Sequence, residues 1–122
     1  MYNVSSYQKA RYIAYVIGPI RSKWRIVRWL NINSARLTAI KLWSAGFAVI
    51  CPHMNSACMR HKVDEDRFIE GDLVLIEKCD FAVVVGKWEN SVGSLAEIKL
   101  CRRINIPVYH SVKEAIEHGS II

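Results

Sequence analysis

A chain of 122 residues, 52% of them apolar, is long enough for one domain with a continuous core and too short for two. No apolar run reaches the length of a membrane span, and Met1 to Arg11 lacks the apolar centre of a signal peptide. The expected setting is therefore the cytoplasm, with no membrane partner. Seventeen basic residues against eleven acidic ones leave a net charge of +6, which favours an anionic ligand.

Residues 1–10 are expected to form a flexible arm ahead of a first strand, Arg11 to Ile17. Gly18 to about Ile32 reads as a loop. It opens with Gly18-Pro19-Ile20-Arg21 and continues through Lys23, Trp24, Arg25, Arg28 and Trp29, where aromatics alternate with basic residues as they do in single-strand nucleic-acid binders and at subunit contacts. Asn33 to Ala45 has helical periodicity, and Ala48 to Ile50 is a short strand. Cys51, His53, Cys58 and His61 then fall within eleven residues, but their spacing matches no common structural zinc pattern, so no metal is expected. His53 is expected to line a crevice or cap the next turn. Four cysteines without a spaced framework, Cys51, Cys58, Cys79 and Cys101, read as reduced thiols.

Asp64 to Lys78 is a helix whose apolar stripe holds Phe68, Ile69, Leu73, Leu75 and Ile76, with Asp72 at helical spacing from Phe68, Leu75 and Ile76. A carboxylate beside a buried stripe is costly unless partnered, so Asp72 either bonds a neighbouring loop or serves acid–base chemistry. Phe81 to Val85 is a buried strand. It runs into a Gly/Ser loop, Gly86 to Ser91, and a helix from Gly93 to Ile104 that carries Glu97. Ser94-x-x-Glu97 reads as a capping box, which would give Glu97 a purely structural task. The other reading is a carboxylate set over a ligand loop in which Gly86 and Gly93 admit close backbone approach and Ser91 offers a donor. Pro107 to Tyr109 and Val112 to Glu117 complete the chain as strand and helix, with Ser111-x-x-Glu114 as a cap. Asp80 is expected to be structural.

Alternating strands and helices imply an α/β fold, a single-domain three-layer doubly wound parallel sheet of flavodoxin-like or Rossmann-like layering. The economical strand order is 2-1-3-4. Ligands then bind where the winding reverses, between the carboxyl ends of the first and third strands, and the loops at Gly18 and Gly86 converge there beneath Glu97.

The segments Tyr15-Val-Ile-Gly18-Pro-Ile-Arg21, Asn33 with Ala35 and Ala39, Cys51-Pro52-His53, Asp72 with Cys79-Asp80, and Trp88-x-x-Ser91-x-Gly93-x-x-x-Glu97 follow one another in this order. Together, from about Tyr12 to Val108, they resemble the nucleoside 2-deoxyribosyltransferase-like superfamily, which also contains deoxynucleoside 5'-monophosphate N-glycosidases and many uncharacterised, often phage-borne, members. The resemblance implies that Glu97 is a nucleophile, that Tyr15 orients it and that Asp72 handles the base or leaving group. It implies further that Arg21 and Ser91 hold a 5'-phosphate and that Gly18 and Gly93 allow close approach. Pro19, Trp88 and His53 are expected beside the substrate. The segment from Ser22 to Ile32 matches no motif of the superfamily.

The expected function is an N-glycoside hydrolase or (deoxy)ribosyltransferase acting on a nucleoside or nucleoside 5'-monophosphate, without a cofactor, in a homodimer or higher homo-oligomer. An N-glycosidic bond breaks through an oxocarbenium-like state, which a carboxylate stabilises while an acid protonates the leaving base. Two rival classes are a nucleotide-binding or sensing module without turnover and a basic nucleic-acid-associated protein. The oligomer is expected from Trp24, Trp29 and Trp88, read as three loop tryptophans that one small domain cannot bury.

Overall fold

Ile13-Ala-Tyr-Val-Ile17 alternates nothing: every residue is apolar or aromatic, and a strand of that kind is stable only when both faces are covered. In the computed structural model, which describes residues 11–20, 22–56, 58, 59 and 61–120, this run is β1 (Ile13–Ile17) and lies inside the sheet. The expected arm, residues 1–10, and Arg21 lie outside the described residues. Next come α1 (Arg25–Ser44), β2 (Ala48–Ile50), α2 (Pro52–Asn55), α3 (Glu65–Ile76) and β3 (Phe81–Val84). A turn of 3-10 helix (Trp88–Asn90), α4 (Val92–Arg103), β4 (Val108–Tyr109) and α5 (Val112–His118) follow. All pairings are parallel and the order is β2-β1-β3-β4, as the alternation predicts.

The strand period of two sends alternate residues to two cores. Ala14, Val16, Phe81 and Val83 meet Ala35, Ala39 and Leu42 of α1 and Ala115 of α5. Tyr15, Ile17, Ala82 and Val84 meet Ile76 of α3 and Ile98 and Cys101 of α4 on the opposite face. Asp80 takes the structural role expected of it, because its Oδ2 accepts from Ile13 N at 2.7 Å while its own N donates to Ile13 O at 2.9 Å. That two-point clamp aligns β1 with β3 before the ladder begins.

The sequence expectation fails in one stretch. Residues from Arg25 onward, read as loop up to Ile32, are the first half of the 20-residue α1. Arg25 to Ile32 contains no glycine or proline, so nothing breaks the helix; its apolar residues face solvent, and a search for one core-facing stripe passes over them. Trp24 is accordingly the residue before α1 and Trp29 lies within it; neither belongs to a long loop. The short α2 was also not anticipated.

Candidate active site at the carboxyl ends of β1 and β3

Two glycines set the floor of the crevice. A Cβ on Gly18 would stand 2.7 Å from Val85 Cγ2 and 3.0 Å from Val85 O, so the chain leaving β1 packs directly on the chain leaving β3. Gly86 has φ of +66°, a left-handed conformation that suits glycine, and its α-carbon faces the Pro19 ring at 3.4 Å from a notional Cβ to Cδ. The two loops thus meet where the winding reverses. His53, only 2% exposed, fixes the first loop from the side: its Nε2 lies 3.1 Å from Pro19 O and its Nδ1 4.0 Å from Cys51 Sγ. Among the described residues no group of three or more His, Cys, Asp or Glu side chains is placed to hold a metal ion.

The helix after β3 begins one residue earlier than expected, and this changes the meaning of Glu97. Ser91 is the cap of α4, its Oγ accepting from Ser94 N at 3.2 Å. Ser94 is therefore inside the helix, and Ser94-x-x-Glu97 is no capping box. Glu97 falls in the second turn, on the side of α4 that faces the sheet and α3. The spacing Ser91-x-x-Ser94 carried that information, since a serine can cap through the N–H three residues on. Ser111 caps α5 in the same way, accepting from Glu114 N at 3.1 Å.

Three elements bring three oxygen-bearing side chains together: Tyr15 from β1, fully buried, Asp72 from α3, half-buried, and Glu97 from α4. Burial raises the Glu97 carboxyl most, the Tyr15 hydroxyl draws it back and the charge of Asp72 adds to the rise, leaving it at about 8. Burial first, then the charges of Glu97 and Asp72, raises Tyr15 so that its hydroxyl keeps its proton. Tyr15 is close enough to act on Glu97, yet Tyr15 Oη and Glu97 Oε2 are both buried without a partner at hydrogen-bonding geometry. The Ser94 hydroxyl, on the same helix, is buried and unpartnered as well. Buried orphans of this kind cost free energy and gather where a ligand completes them. Nearby thiols offer no nucleophile: burial raises Cys79 to about 12, with Asp80 and Cys101 adding, and burial with Glu97 raises Cys101 to about 11.

The remaining candidates lie around this centre. Ser91 N donates to Trp88 O at 3.1 Å and its Oγ serves as the cap acceptor, leaving the hydroxyl proton available to donate. A Cβ on Gly93 would meet nothing within 4 Å, so space is open at the start of α4. Trp88 is half-buried on the cluster that contains Tyr15 and Ile98, its ring 5.6 Å from that of His110. In the sequence His110 has no visible partner, because Trp88 comes from another strand end. A pocket of about 380 Å³ opens elsewhere, beside β2, lined by Ala39, Trp43, Val49, Ile50, Met54 and Leu75 among others. None of Tyr15, Asp72 or Glu97 lines it, and its apolar lining offers no acid–base chemistry.

Among the described residues no helix is long and apolar enough to cross a membrane. No curated protein matches the chain. Among solved structures it is similar to a 2-deoxyribosyltransferase from the psychrotolerant bacterium Bacillus psychrosaccharolyticus, with a TM-score of 0.58 at 16% identity over 79% of this chain and 69% of that one. At that identity the likeness is one of fold. Residues 14–110, from the second residue of β1 to the residue after β4, match the family described as a domain of unknown function, DUF4406. With most of its length inside that match, the chain belongs to the DUF4406 family.

Proposed function

We propose that the protein is an N-glycoside hydrolase or (deoxy)ribosyltransferase whose substrate is a nucleoside or nucleoside 5'-monophosphate. The observation that carries this reading is the meeting of Tyr15, Asp72 and Glu97, with two buried oxygens left unpartnered, beside the point where the sheet reverses its winding. The solved transferase of similar fold supports it.

Burial raises Glu97 to about 8, so near neutrality Glu97 carries a proton. Chemistry requires that proton on Asp72. With Glu97 ionised, its oxygen attacks C1' as the C1'–N bond breaks, the bonding pair leaves with the base, and the proton on Asp72 passes to the base nitrogen. Water, or a second base in a transferase, then attacks C1' as the C1'–O bond to Glu97 breaks, and its proton passes to Asp72. The nearby Tyr15 hydroxyl lowers Glu97 and so favours the ionised form. Ser91, the unpaired N–H groups at the start of α4 and Arg21 hold the 5'-phosphate, with Gly93 leaving it room.

The test is release of free base from a panel of nucleosides and their 5'-monophosphates. Wild type should turn over at least one of them, and Glu97→Gln should lose about a hundredfold or more. Equal release by the glutamine variant overturns the nucleophile. One observation favours the rival reading of a nucleotide-binding module, namely that Glu97 holds its proton at neutral pH. Nucleotide binding by wild type with no base released between neutrality and pH 9 would establish that rival.

A further inference from the structure

Ser94 is the third residue of α4 and only 1% exposed, with Ile98 and Cys101 on the same buried side of the helix. A buried helical serine ordinarily donates its hydroxyl to the carbonyl three or four residues back, which offsets the cost of burying it. Ser94 does not. Its Oγ has no hydrogen-bond partner, and Ser91 O accepts from Leu95 N at 3.0 Å instead. The cap of α4 does not account for the residue either, because Ser91 Oγ accepts from the backbone N of Ser94, which alanine would supply as well. Alanine at this position would also be free of an orphaned hydroxyl.

A second orphan lies three residues on. Glu97 Oε2 is buried without a partner, so one helix carries a lone hydroxyl donor and a lone carboxyl acceptor at a spacing of i and i+3. Residues at that spacing are neighbours on a helix surface, with Cβ atoms about 5–6 Å apart. Helical side chains also lean toward the helix N-terminus, which carries the Glu97 carboxyl back over the turn that holds Ser94. A neutral carboxyl keeps a proton on one oxygen, and only the ionised form offers both oxygens as acceptors.

We propose that Ser94 is a positioning residue for Glu97, its hydroxyl donating to Glu97 Oε2 when the carboxyl ionises. The proposal rests on the reading of Glu97 as the nucleophile. Tyr15 acts on the same carboxyl from β1 and Ser94 from α4, so two hydroxyls on two elements restrain the terminal torsion of the glutamate, which is otherwise broad, and fix the plane in which it meets C1'. Among the described residues Asp72 on α3 and Cys101 on α4 are the other ionisable groups coupled to Glu97. Neither takes the place of Ser94: the charge of Asp72 opposes ionisation, and a thiol is a weak donor.

The Glu97 carboxyl, followed by carbon-13 NMR on the full chain and assigned by its loss in Glu97→Gln, should titrate near 8 in wild type. In Ser94→Ala the midpoint should lie about one pH unit higher, the scale of one hydrogen bond to a charged group. Ser94→Cys restores the volume but not a strong donor, so it should behave like the alanine variant. Where base is released, Ser94→Ala should lower kcat about tenfold at neutral pH and leave KM nearly unchanged, because Ser94 acts through Glu97. A midpoint that does not rise in Ser94→Ala overturns the proposal, and so does a wild-type midpoint in Ser94→Cys, which would reduce the residue to packing. A loss carried by KM alone overturns it as well. Absence of base release by wild type from every nucleoside and nucleotide would remove the nucleophile, while the NMR midpoints still decide whether Ser94 and Glu97 pair.

Discussion

Glu97 keeps its proton in the fold far above the pH at which it loses it in the unfolded chain, and that has a sign. Because burial raises the folded pKa to about 8 from 4.5, the folded state binds the extra proton between those values, and stability falls as pH rises through that window. Glu97→Gln removes the titration. Its melting temperature should therefore match wild type near pH 4.5 and exceed it by several degrees at pH 8 and above. A constant offset at every pH would show that Glu97 does not titrate as placed. Tyr15→Phe deletes a buried hydroxyl that has no partner, so it should cost little stability. The same change removes the group that lowers Glu97, so the falling limb of kcat/KM, expected near pH 8 where the carboxyl pair loses the proton that the departing base needs, should move to higher pH in the phenylalanine variant. A rate that rises through pH 8 would show that Asp72 does not supply that proton.

At the scale of elements, two helices begin in the same way and only one begins at the candidate site. Ser91 caps α4 and Ser111 caps α5, each through the N–H three residues on. Ser91→Ala and Ser111→Ala should each cost about 1 kcal/mol of stability by denaturant titration. Ser91→Ala should also raise KM for a 5'-monophosphate more than for the free nucleoside, whereas Ser111→Ala should leave both unchanged. Equal effects of the two variants on KM would reduce Ser91 to a cap. The approach of β1 to β3 gives a second check, since Gly18→Ala puts a methyl 3.0 Å from the Val85 carbonyl oxygen, a backbone atom that cannot swing away. That change should destabilise by about 1–3 kcal/mol.

For the molecule as a whole, net charge acts over distance. An excess of six positive charges draws an anionic substrate to the protein from beyond contact range, and salt screens that attraction over about 10 Å at moderate ionic strength. Raising salt to about half molar should therefore increase KM for a nucleoside 5'-monophosphate and leave that for the nucleoside nearly unchanged. A nucleotide preference that survives high salt intact would place phosphate recognition in short, buried contacts alone. Among the described residues the basic groups ahead of and along α1 also make local contacts, Lys23 Nζ lying 5.4 Å from the Trp24 ring centre and Arg28 Nη1 donating to Ser22 O at 3.1 Å.

What the sequence determined by itself was the layered sheet. Continuous apolar runs such as Ile13 to Ile17 and Phe81 to Val84 require cover on both faces, and helical segments between them require parallel crossovers, so the order β2-β1-β3-β4 follows from local patterns and chain connectivity. Asp72 was legible as a candidate because a carboxylate beside an apolar stripe is anomalous wherever it falls, Glu97 because it follows a Gly/Ser loop that leaves a buried strand, and Tyr15 only through the resemblance of its motif. Their meeting was not legible, since it depends on how α3 and α4 sit over β1, residues 15, 72 and 97 being far apart in the chain. The cap at Ser91 was misread because two serines three apart offered two starting points for one helix, and only packing chose between them. The length of α1 was missed for a related reason: Ile26, Leu30 and Leu37 have helical spacing but face away from this chain's core, and a pattern is read as structure most readily when the surface it packs against belongs to the same chain.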